Sequence, residues 1–147
     1  MKKIPIIIAF LIFAVLMLPG IIQPPGESTA ARGGEVRQLS RALIAALLNY
    51  RKEYGQFPEG GAGEIMSALR GKNEKEVVFI DPPPTALNDL GEMLDPWGTP
   101  FRITFDKTSN MPKIHSAGPN QKFEEKPGKH SDDYYSWHDS AASPLPD

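Results

Sequence analysis

Cysteine is absent from the 147 residues, so neither a disulfide, a thiol nucleophile nor a cysteine-based zinc site is available. Its absence suits an exported protein. An excess of positive charge is missing too. Sixteen Lys and Arg stand against 18 Asp and Glu, a formal net charge of −2, so the chain lacks the basic field of a nucleic-acid binder. No Gly-x-Ser-x-Gly elbow supports a hydrolase triad. A Walker A loop, a dinucleotide fingerprint and a His-Glu-x-x-His pair are likewise missing. The cluster Gly60-Gly61-Ala62-Gly63 lies between two helical patterns, whereas a phosphate loop would follow a buried strand. What the chain has in quantity is 13 Gly and 15 Pro, the composition of a small, turn-rich domain with short strands.

The clearest apolar run comes first. Lys2 and Lys3 precede the uncharged stretch Ile4–Leu18, a pattern that predicts a secretory signal h-region or a short membrane anchor over residues 1–22. The lysine pair would stay in the cytoplasm and leave the remainder outside. Ser28-Thr29-Ala30 supplies small residues for cleavage after Ala30. Pro24, Pro25, Gly26, Gly33 and Gly34 make residues 23–34 a flexible tether.

One long helix is expected over Glu35–Tyr54. Val36, Leu39, Leu43, Ala46, Leu47, Tyr50 and Tyr54 recur at steps of three and four, and Ile44 and Leu48 widen that face. Such a helix packs under a sheet. Arg37, Arg41, Arg51 and Lys52 fall largely on the other side, as a solvated face. Gly55 stops the helix and Pro58 prevents its continuation. A second short helix follows over Glu64–Leu69. Val77-Val78-Phe79-Ile80 reads as a strand halted by Asp81-Pro82-Pro83-Pro84, and Thr85–Leu94 fits either a loose helix or an irregular connection.

The last third is the most structured. In Asp95-Pro96-Trp97-Gly98-Thr99-Pro100, Pro96 presets φ, Gly98 accepts φ > 0, and Asp95 can take bonds from the turn amides. Phe101, Ile103 and Phe105 alternate with Arg102 and Thr104, as in a half-buried strand. Asp106–Pro112 closes a hairpin-like connection, and Lys113–Ser116 makes the next strand. A polar loop follows over residues 118–133, and Asp132 and Asp133 end it with hard oxygen donors of the kind calcium prefers. Trp97 and Trp137 are expected to close a small core. Residues 140–147 are expected to be a disordered tail.

LDPWGTPFRI, then IHSAGPNQKF, then SDDYYSW resemble the carboxy-terminal domain of the major pseudopilin family of type II secretion systems. The resemblance extends upstream to Leu47-Leu48-Asn49-Tyr50 and Tyr54-Gly55-Gln56-Phe57-Pro58, and covers roughly residues 35 to 137. It implies a calcium site whose ligands, carried over by position, are the carbonyls of Ala117 and His130 and the side chains of Asn120, Asp132 and Asp133. Asn120 stands where the family has Asp, and the insert Gln121–Ser131 is longer than the family's. The amino terminus differs more. The family's Gly before a Phe-Thr-Leu-x-Glu-like start is missing, and a Pro- and Gly-rich stretch interrupts the passage from apolar run to helix. Neighbouring carboxylates also repel unless a cation joins them, which would couple loop order to the ion. A competing zinc site of His130, Asp132 and His138 matches no common metal-ligand spacing.

The expectation is an α+β fold, pseudopilin-like over residues 35–139. The long helix would lie on an antiparallel three-stranded sheet from residues 77–80, 101–105 and 113–116, with an ion-ordered loop at the end. The expected role is non-enzymatic: a subunit or accessory of a type II secretion or related fibre system. Its partners would be other pseudopilin-like subunits and the membrane, met through the amino-terminal segment, with no nucleic acid and no small-molecule substrate. It would sit in the cell envelope, with its soluble domain in the periplasm. A free-standing exported binding domain of the same fold is the alternative, and a zinc hydrolase a more distant one.

Overall fold

Residues 29–108, 110–124 and 132–136 are described by a computed structural model. The apolar segment 1–22, His130, Trp137, His138 and the tail 140–147 lie outside the described residues. Among the described residues no helix is long and apolar enough to cross a membrane.

Helix α1 spans Thr29–Tyr54. Its predicted face is the one that packs: Val36, Leu43, Ala46 and Leu47 are buried, and Leu39, Ile44 and Tyr50 are partly buried against the same cluster. Each fully buried Leu contributes about 2 kcal/mol by leaving water. The helix starts at Thr29 rather than Glu35, so residues 29–34 are helical where the sequence suggests tether. Gly33 and Gly34 each cost about 1 kcal/mol relative to Ala. The burial of Val36 just beyond them holds this end against the core. Helix α2, Ala62–Leu69, turns Ile65, Met66 and Leu69 into that core, and the Glu64 carboxylate accepts the Gly61 N–H at 2.7 Å to cap it.

The sheet has three antiparallel strands, β1 (Arg102–Asp106), β2 (Met111–Ser116) and β3 (Tyr134–Tyr135), in the order β1-β2-β3. Ile103 pairs with Ile114 and Phe105 with Pro112, which sets the register. β3 reaches only His115 and Ser116, so β2 is an edge at Pro112, where a missing N–H is tolerated. Ile114 meets the buried face of α1, and the general form is therefore α+β, as expected.

The membership of the sheet differs from expectation. Val77–Ile80 is not a strand; Val78 makes one isolated bridge to Arg70. The cause is competition for its backbone. Asn73 takes the Val77 N–H on Oδ1 at 2.9 Å and donates Nδ2 to the Val77 carbonyl at 2.6 Å. The N–H groups of Phe79 and Ile80 both go to the Leu69 carbonyl. With these groups spent locally, no ladder can form. The third strand is instead Tyr134–Tyr135. Thr85–Leu94 is an irregular connection: a 3-10 turn at Pro84–Ala86, then a turn built on Asn88, whose Oδ1 accepts the N–H of Leu90 and of Glu92.

Candidate metal centre

The site lies where the Asp95 turn, the end of β2 and the start of β3 meet. Asp95 is buried and accepts the N–H of Trp97 and of Thr99 on Oδ1, at 3.0 and 2.9 Å. Its Oδ2 accepts the Ser116 hydroxyl at 2.6 Å, which ties the turn to β2. Ser116 Oγ in turn accepts the Gly118 N–H. Gly118 has φ +65°, and a Cβ there would run into the Asp132 carbonyl, so the two halves of the loop touch through backbone at this point.

Asp132 is exposed and faces Asn120. The Asn120 backbone N–H donates to Asp132 Oδ2 at 3.0 Å and its side-chain Nδ2 donates to Oδ1 at 2.6 Å. The Asn120 Oδ1 accepts the Lys122 N–H at 2.7 Å. Gln121 donates Nε2 to the Trp97 carbonyl, joining the loop to the turn. Asp133 is held against the sheet. Its Oδ2 lies 2.5 Å from His115 Nε2 and accepts the Glu124 N–H at 2.8 Å. His115 is sandwiched by aromatic rings, stacked on Tyr135 at 4.2 Å and edge-on to Phe123 at 4.9 Å. Burial pushes the His115 pKa below its ordinary value, and the nearby Asp133 carboxylate only partly offsets this. The imidazole holds the loop end to β2.

The structure brings Asn120, Asp132 and Asp133 together and seats the buried Ala117 at the end of β2. It also brings in Glu124, which sequence reasoning missed. Carboxylate oxygens of Glu124, Asp132 and Asp133 lie within 4.8 Å of one another. Three carboxylates in that space fit a hard divalent cation. The Asn120 amide nitrogen faces Asp132, and its Oδ1 faces the Lys122 N–H. Glu124 carried no signal of its own, because it stands within a run of mixed charge and is placed by long-range bonds, its N–H to Asp133 and its carbonyl from the Tyr135 hydroxyl. His130 and His138 of the zinc alternative lie outside the described residues.

No protein-family model, no curated protein and no solved structure matches this chain.

Proposed function

We propose that the chain is a non-enzymatic, pseudopilin-like subunit or accessory protein of a type II secretion or related fibre system, held at the envelope membrane by residues 1–22, with its soluble domain in the periplasm. The observation that supports this most is the joint placement of its parts. The long helix lies on the antiparallel sheet, the Asp95–Pro100 turn is bonded to β2 through Ser116, and β3 brings Asp132 and Asp133 to the same end. This arrangement is compatible with a packing subunit whose outer loop is stiffened. Calcium is proposed as the ion at this end, held by Glu124, Asp132 and Asp133 with carbonyl oxygens from Ala117 and His130. It would neutralise the crowded carboxylates and stiffen the loop.

The state of the mature amino terminus tests the reading. Mass spectrometry that finds the terminus intact leaves the apolar run in place and the chain able to pack through this region. A terminus at Ile21 or at Ala31 removes the run Ile4–Leu18 and would replace the fibre role with that of a free exported binding domain.

A further inference from the structure

A groove of about 600 Å³ opens beside the amino-terminal half of α1, lined by Leu39 and Ala42 of the helix and by Ile80, Pro82, Pro83 and Met93 from the long connection. Its walls are mostly apolar and its acids are Glu35, Asp81 and Asp95; none of the described residues lining it is basic. Asp95 is committed to Trp97, Thr99 and Ser116, so the free negative charge belongs to Glu35 and Asp81, which are exposed.

The β1–β2 hairpin tip has the opposite character. Met111 is 39% exposed, an apolar side chain at the edge of the sheet. Lys107 beside it is exposed, and the nearby Lys113 is paired with Asp106 at 2.6 Å. The tip is a shaped element: Asp106 accepts the Thr108 N–H on its side chain and the Asn110 N–H on its carbonyl. It sits at the far end of the helix. Arg51 donates to the Asn110 carbonyl at 2.5 Å, and Phe57, just past the helix exit, stacks on Phe105. At 1.5 Å per residue, Leu39 and Arg51 are about 18 Å apart along α1.

We propose that the hairpin tip of one copy seats in the groove of a second copy of this chain, Met111 against the apolar walls and Lys107 toward Glu35 and Asp81. This rests on the fibre reading above and gives it a contact. An isolated exposed methionine needs no explanation. A methionine flanked by a lysine matches, in apolar character and in sign of charge, an open apolar groove rimmed by acids on the same chain. Knob and groove are separate surfaces, so the contact is heterologous unless two copies exchange it reciprocally in a closed pair. Repeated head to tail, it builds an open filament unless the rotation closes a ring.

The test uses the full chain in membranes, where the absence of native cysteine makes introduced thiols unique. Thr85→Cys together with Thr108→Cys, which keeps Met111, is treated with a short bis-maleimide and is expected to give a ladder of oligomers, and each single variant is not. Lys107→Glu in that background should lower the ladder yield roughly tenfold, and adding Asp81→Lys should restore it. Both charge positions are exposed, so the fold survives the changes. No ladder from the double-cysteine chain, with oligomers still captured by an amine-reactive cross-linker, overturns this contact and leaves the fibre reading standing. Monomer with both reagents overturns the contact and the fibre reading together. Shielding of the Thr85→Cys thiol in dilute monomer would put a segment of the same chain in the groove and would also overturn the contact.

Discussion

Asp95 uses both carboxylate oxygens inside the fold, two turn amides on one and the Ser116 hydroxyl on the other. Asp95→Ala would strip three donors of their acceptor in a buried place. We expect a loss of about 3 kcal/mol, read as a lower denaturant midpoint, with Asp95→Asn losing less because its Oδ1 still accepts from the turn. Equal midpoints for Asp95→Ala and the parent would remove the turn from any structural role. The residue-level signal was partly legible. A buried-turn Asp before Pro and ahead of Gly predicts its own amide bonds, and these are found. Its bond to Ser116 was not legible, since the two are joined only by the approach of β2. Asn120 shows the same division. Its type suits a turn, and its Oδ1 does accept the Lys122 N–H. That its amide nitrogen meets Asp132 depends on where the far end of the loop returns.

At the scale of elements, α1 was readable because a 3.6-residue period repeated over many turns is redundant; one atypical position does not erase it. Its start was not readable. Gly33 and Gly34 argue for a break on propensity alone, and burial of Val36 overrides them. Neither glycine would meet a neighbour within 4 Å if given a Cβ, and neither has positive φ. Gly34→Ala should therefore stabilise the domain by about 0.5–1 kcal/mol, seen as a raised thermal midpoint. A drop would mean that this end of α1 is not helical in solution. Val77–Ile80 failed as a strand for a different reason. Its side chains suit a sheet, but Asn73 and the end of α2 capture its backbone first. β3 was invisible because two tyrosines carry no period.

The whole molecule is small, and several of its contacts converge on the acidic end. Calcium at about a hundredfold its dissociation constant should add roughly 2.7 kcal/mol of stability. Addition of EDTA is expected to lower the melting midpoint of the purified full chain, and calcium to restore it. Asp132→Ala should remove that sensitivity, and Glu124→Gln should weaken it. The Glu124 result separates the carboxylate set seen in the fold from the set carried over by resemblance, which omits it. Melting that ignores both chelator and ion would exclude the calcium proposal while leaving the hydrogen bonds of Asn120 to Asp132 to close the loop.

Local chemistry determined the apolar face of α1, the Asp95 turn, the β1–β2 hairpin and the α+β class, because each is written in neighbouring residues or in a short period. Tertiary structure alone decided which segment completes the sheet, that Glu124 joins Asp132 and Asp133, and that Asn120 turns its amide nitrogen to Asp132. Those outcomes depend on which of several competing partners reaches a backbone or side-chain group first. Competition of that kind is settled by distance in the folded chain, a quantity that residue order does not carry.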